Sequence, residues 1–215
     1  MLDKFEGILI FYQQKVEDTL DFVEEPLSQL AIDPRKTALV AIDLQNAVLQ
    51  MNPAPHAAAE VVSNNRRISD ALRSKGGLVV WVRVDINQVI RLPVDVPMPF
   101  EGKQLPSEWM EIAPAAGVQD GDLLITKYHW GAFAGTPLEQ QLRARDIDTI
   151  ILTGISTNAG VESTLRQGTG LGFAFVVAED ACSGRDADEH RFAFQNIFPR
   201  LARVRSVDEV LNALA

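Results

Sequence analysis

Short apolar runs alternate along this chain with longer stretches in which apolar residues recur every third or fourth position. The short runs cover residues 37–43, 78–84, 122–127, 149–153 and 173–178, with a shorter one at 203–207. Each is too short for a helix and apolar at successive positions, which is how a strand buried on both faces of a parallel sheet reads. Between them lie helical patterns. Residues 58–74 place Val61, Val62, Ile68, Ala71 and Leu72 on one face and end at Gly76-Gly77. Further helices are predicted over 137–145, 159–167 and 186–198, with a last one running to Leu214. Strands alternating with helices predict a single α/β domain built on a parallel sheet covered on both faces.

Two stretches break this rhythm. In residues 1–35, Phe5, Ile8, Leu9, Tyr12, Val16, Leu20 and Val23 fall near helical spacing with acidic residues between them, up to Pro26 and Pro34. This predicts an N-terminal helical extension of one or two amphipathic helices ahead of a main domain at 36–215. With more acid than base on its polar face, the extension is expected to pack on the body or in a subunit interface, not on a membrane. Residues 85–121 carry Pro93, Pro97, Pro99, Pro106 and Pro114 and no clear periodicity, the pattern of a lid, a binding loop or an oligomer contact.

Composition narrows the partners. Net charge is −9 with no basic run, which argues against nucleic acid or an anionic membrane surface and leaves a small molecule as the expected partner. No apolar stretch reaches the roughly 20 residues that span a bilayer, and residues 1–7 lack the basic start of a signal peptide. Cys182 is the single cysteine, and three scattered histidines form no metal-ligand spacing. A soluble, cytoplasmic protein without metal or other cofactor is expected.

The candidate chemistry sits where strands end. One run closes on Asp43, another on Lys127, and the run at 149–153 opens into Gly154-Ile155-Ser156-Thr157-Asn158-Ala159-Gly160. Strand ends distant in sequence meet in one crevice of a parallel sheet, and a tight strand-to-helix turn presents backbone N–H groups there. Position alone leaves open whether Asp43 and Lys127 are a catalytic pair or a structural ion pair.

These residues also carry a resemblance. Ala41-Ile42-Asp43-Leu44-Gln45-Asn46 resembles the opening block of the isochorismatase-like (cysteine hydrolase) superfamily, and Lys127 through Leu138, with Ala132-Phe133-Ala134-Gly135-Thr136, resembles its lysine block. Thr153 through Thr164 is similar to its nucleophile block, and Glu179-Asp180-Ala181-Cys182-Ser183, followed by Asp188 and His190, to its closing segment. The resemblance spans about residues 37–205. It implies a three-layer α/β/α sandwich with a six-stranded, mainly parallel sheet, and homodimers or larger homo-oligomers. It also implies an Asp–Lys–Cys triad in which Asp43 and Lys127 take the acid and lysine places. A cis peptide bond is implied at Ile155–Ser156, with N–H groups of Ser156 and Gly160 forming an oxyanion hole.

The nucleophile's place is taken by Gly160, so thiol-based amide hydrolysis is not expected. Cys182 follows the next strand and reads as a half-buried packing thiol. The isochorismatases proper carry glycine there and cleave a vinyl ether with the aspartate as acid, which implies Asp43 as proton donor and Lys127 as its support. The surrounding turn resembles the cysteine enzymes more closely. A catalytically inactive binding or assembly relative, or an amidase inactivated by a Cys-to-Gly replacement, therefore stand as alternatives. Trp130 and Phe133 are candidates for an apolar wall of the substrate site, the latter equally for the core. Arg83, Arg91 and His129 can meet a substrate carboxylate or serve as solvated or structural charges. Asn46 and Thr157 complete the candidate substrate contacts, Asn46 doubling as a brace for its loop. Asp188 and His190 read as a helix-start cap and a surface or interface contact.

Overall fold

The computed structural model describes residues 30–97 and 102–214. Six parallel strands form the sheet: β1 (Thr37–Ile42), β2 (Leu78–Val84), β3 (Leu123–Lys127), β4 (Thr149–Ile155), β5 (Ala174–Ser183) and β6 (Arg203–Arg205), in the order β3-β2-β1-β4-β5-β6. The helices are α1 (Asn46–Leu49), α2 (Ala58–Ser74), α3 (Leu138–Arg143), α4 (Glu162–Gly170), α5 (Ala187–Phe192) and α6 (Val207–Ala213). The predicted amphipathic helices before Pro26 lie outside the described residues, and the proposed boundary at residue 36 falls just before β1.

The apolar pattern explains the layers. Every residue of β1 is buried, so both faces of the central strands need cover. Ala38, Val40 and Ile42 share one face with Val80, Val82, Ile150, Leu152 and Val177, and pack under Leu138, Leu142, Leu165 and Phe194. The opposite face carries Leu39, Val79, Trp81, Ile151 and Val176, against α2 through its buried Val61, Val62, Ile68 and Leu72. At about 25 cal/mol per Å² of apolar area removed from water, these two interfaces dominate the folding free energy. On the α2 side one polar anchor is built in. Asp122 accepts from Trp81 Nε1 at 2.8 Å and from Arg73 Nη2 at 2.7 Å, tying helix, strand and loop together.

The strand order reverses between β1 and β4, so the crevice at their carboxyl ends is the topological switch point of the sheet. Gly154 makes that closeness possible. It adopts φ +115°, and a β-carbon on it would fall 2.1 Å from the Ile42 carbonyl oxygen. Only glycine lets β4 run this near β1.

Boundaries depart from expectation at three places. β5 runs on to Ser183, beyond the predicted end at 178, and after a register shift pairs Cys182 with Gly154 and Ser183 with Ile155. The turn after β4 is a π-helical segment, Thr157–Val161, before α4 begins at Glu162. The predicted 186–198 helix divides into α5, a π segment at Ala193–Ile197 and a final 3₁₀ turn. The 85–121 stretch is irregular where described, apart from 3₁₀ turns at Ser107–Met110 and Pro114–Ala116. Among the described residues, no helix is long and apolar enough to cross a membrane.

Candidate active site

Asp43 stands just past β1 with φ +53°, an uncommon backbone for a non-glycine residue and one that turns its side chain across the sheet edge. Two contacts fix it there. Its N–H donates to the Val82 carbonyl at 2.8 Å, and the buried Gln45 clamps the end of β2. Gln45 Oε1 accepts from Val84 N at 2.8 Å and Nε2 donates to the Val84 carbonyl at 3.1 Å, so this side chain substitutes for a missing strand partner.

Lys127, the last residue of β3, reaches under this loop. Its Nζ lies 2.8 Å from Asp43 Oδ2 and donates to the His129 carbonyl at 3.1 Å, with 2% of the side chain exposed. Asp43 Oδ1 is buried and has no hydrogen-bond partner. Burial raises the Asp43 pKa, against the opposing effects of the Lys127 ammonium and the hydrogen bonds the carboxyl accepts. The proton is thus held more tightly than on an ordinary aspartic acid.

Gly160 faces this pair. A β-carbon built on it would lie 3.3 Å from Asp43 Oδ2, 3.5 Å from the Trp130 carbonyl oxygen and 2.8 Å from Ile42 Cγ2. Aspartate, lysine and glycine therefore converge, and the space over Gly160 is shared with the carboxyl. The Ile155–Ser156 peptide bond is cis. Beyond it the Ser156 carbonyl accepts from the N–H groups of Ala159 and Val161, closing the turn. Thr164 Oγ1 donates to the Gly160 carbonyl at 2.7 Å and accepts from Ala132 N at 3.0 Å, locking the turn to the segment after Lys127.

Other candidates fall elsewhere. Phe133 is buried in the core cluster and stacks on Phe173 with centroids 5.7 Å apart, the core alternative of its two sequence readings. Arg83 donates to Thr126 Oγ1 along the sheet. Asn46 donates to the Glu108 carbonyl at 2.8 Å and braces the loop. The Thr157 hydroxyl is engaged by His190 Nδ1 at 2.8 Å. Trp130 is 63% exposed and lines a cleft of about 930 Å³ together with Arg91 and His129.

Three readings are corrected, those of His190, of Asp188 as the helix cap and of Cys182. His190 is buried, not at the surface, and packs against Phe194 and edge-on to His56. Burial first, then the neighbouring His56, lowers its pKa to about 4, so it is neutral at pH 7. The helix it belongs to is capped by Asp186, which accepts from Asp188 N and Glu189 N. Cys182 is fully buried, and burial pushes its thiol well above the usual range. No thiolate forms there at neutral pH.

Sequence reasoning passed over three supports. Gln45 and Thr164 are described above. The third is Asn65, buried on α2, which accepts from Thr153 Oγ1 at 2.5 Å and donates to the Val61 and Ala181 carbonyls. A polar residue at an inward helical position between Val61 and Ile68 was the available signal.

The isochorismatase domain family matches residues 37–209, from the first residue of β1 into the last helix. The chain belongs to the isochorismatase family. It is 49% identical over 189 residues to the isochorismatase family protein YecD of Escherichia coli O157:H7, covering 86% of this chain and all of the relative. It is 29% identical over 212 residues to the ureidoacrylate amidohydrolase RutB of Klebsiella pneumoniae, covering 86% of this chain and 90% of the relative. Among solved structures, an isochorismatase family protein from Burkholderia thailandensis superposes with a TM-score of 0.82 at 39% identity, over 87% of this chain and 99% of that one. The expected six-stranded α/β/α architecture is that of this family of hydrolases.

Proposed function

We propose that this isochorismatase-family hydrolase works without a cysteine nucleophile, with the Asp43 carboxyl as general acid and base on a small anionic vinyl ether or related substrate. The observation that carries the reading is the buried Asp43–Lys127 pair, with a raised Asp43 pKa and a glycine where a nucleophile would stand. In the proposed reaction Asp43 gives its proton to the terminal carbon of the enol ether. The resulting oxocarbenium is captured by water, whose proton returns to Asp43, and the hemiketal collapses to a ketone and an alcohol. The acid needs a pKa lifted towards neutrality, and burial lifts it. Lys127 holds Oδ2 and so orients the carboxyl, while Gly160 leaves room for the substrate beside it. The N–H groups of Ser156 and Gly160, presented by the Ile155–Ser156 turn, are the proposed hydrogen-bond donors to a substrate oxygen.

The test is a panel of enol-ether carboxylates and small amides, assayed with the wild type, Asp43→Ala and Lys127→Ala. Enol-ether turnover lost by 10²-fold or more in Asp43→Ala is the expected result. Turnover independent of Asp43 overturns the mechanism. The similarity to an amidohydrolase favours a second reading, an amidase that lost its thiol, which predicts that Gly160→Cys gains activity on amides. The 2.8 Å approach of Ile42 to the β position weighs against it, since a side chain there must displace a branched residue of β1.

A further inference from the structure

The cleft beside the catalytic pair has a chemistry of its own. It is walled by the apolar side chains between residues 86 and 97 and by Trp130, and is also lined by Ser163 and Gln167, while Asp95 of the same segment does not line it. Gly160, Ser163 and Gln167 are three and four residues apart, so they follow one face of the π segment and α4. The cleft therefore runs along that face away from Gly160. Asp43 and Gly160 do not line it, but Trp130 does, and its carbonyl approaches the Gly160 β position at 3.5 Å.

Three observations define what fits. The wall residues Ile90, Leu92, Val94 and Val96 are between 53% and 87% exposed, a contiguous apolar surface that water covers poorly. In a chain with 29 acidic residues and net charge −9, no acidic residue among those described lines the cleft. Arg91 does line it and makes no ion pair with a described residue, and His129 stands nearby. An apolar trough with a guanidinium and no carboxylate selects an anion on a hydrocarbon body. A polyhydroxylated ring would bury hydroxyls against Ile90, Leu92, Val94 and Val96, which offer them no partner.

We propose that this cleft binds a monocarboxylate with a sizeable aliphatic or aromatic body, its hydrocarbon against Trp130 and the 86–97 wall and its carboxylate on Arg91. As a statement about substrate class it rests on the reading of Asp43 and Gly160 as the reaction centre. As a statement about binding it does not, because turnover is not needed to observe it.

The experiment is titration of the full chain with acetate, butyrate, hexanoate, octanoate and 4-phenylbutyrate, followed by calorimetry and tryptophan fluorescence. The alcohol and the ammonium of equal chain length serve as controls. Affinity is expected to rise about two- to fourfold per added methylene and to favour the carboxylate over the alcohol by about tenfold. Arg91→Ala erases that preference while leaving the chain-length series. Trp130→Ala weakens every member of the series and removes the fluorescence change. Both side chains are exposed, and unchanged circular dichroism shows that the variants fold. The titration uses the wild-type chain and ligands that cannot turn over, so failed turnover and failed binding are separately visible. Affinity that does not change with chain length, equal binding of alkylammonium, or insensitivity to Arg91→Ala overturns the proposal. It is also overturned if sedimentation shows a second copy covering this face, with Val96→Lys releasing it and no carboxylate binding in either form.

Discussion

Replacing Lys127 with methionine removes the ammonium from a carboxyl group that is 9% exposed and leaves the volume nearly unchanged. If Asp43 stays ionised, an uncompensated buried charge costs about 3–5 kcal/mol. The alternative is protonation. Holding a proton at pH 7 on a group whose unfolded pKa is near 3.9 costs about 4 kcal/mol, so the two routes have similar ceilings. Lys127→Met should therefore lose about 3–4 kcal/mol at pH 7. A carboxyl whose folded pKa is raised contributes stability that is fully present below its unfolded pKa and is lost as pH rises through the folded one. The penalty must accordingly shrink as pH falls from 7 towards 4. Asp43→Asn strands the ammonium, leaving it the His129 carbonyl, and should cost about 3–5 kcal/mol. The double variant Asp43→Asn/Lys127→Met has no buried charge left and should lie within about 1–2 kcal/mol of wild type. Urea unfolding followed by far-ultraviolet circular dichroism at pH 5 and 7 supplies all four corners of the cycle. Single losses below about 1 kcal/mol that simply add would mark a solvated ion pair and refute the account of this site.

Other outcomes follow from the same contacts. His190 is held neutral with a folded pKa of about 4, so its contribution is present above about pH 6.5 and lost as pH falls towards 4. About 3 kcal/mol should disappear over that range, and His190→Asn should flatten the slope of urea midpoint against pH. An unaltered slope would place the titration elsewhere. Gly160→Ala should lower stability by about 1–3 kcal/mol by crowding Ile42 Cγ2, read as a drop in the thermal midpoint. A neutral effect would mean the position has space to spare. Asn65→Leu strands the Thr153 hydroxyl and removes the side-chain donor to the Ala181 carbonyl, and should cost about 2–4 kcal/mol in calorimetry. A cost near zero would mean water takes over both.

The strands were legible because β1, β2 and β4 are buried on both faces and leave an uninterrupted apolar record in the chain. Asp43 and Lys127 stood out for the same reason, as charges that end such runs. The predicted fifth strand stops at 178 because the charged Glu179 and Asp180 interrupt its apolar run. Asp180 instead accepts from Val207 N at 2.7 Å, and its carbonyl accepts from Asn64, so tertiary partners carry the strand through its polar residues. The sequence misplaces His190 and leaves Phe133 open between the core and a substrate wall, because their surroundings are assembled from distant segments. Nothing near Phe133 in sequence announces Phe173. Nor does a lone histidine beside Asp188 and Glu189 announce burial against Thr157 and Phe194.

Protonation of carbon by Asp43, at a site without a nucleophilic thiol, is read most directly from hydrolysis of an enol-ether carboxylate in D₂O, with the released ketone sampled at early times by mass spectrometry. One carbon-bound deuterium per turnover, a normal solvent isotope effect, and loss of both with Asp43→Asn are the expected results. Product formed without deuterium on carbon, or formed at an undiminished rate by Asp43→Asn, would contradict this role of Asp43.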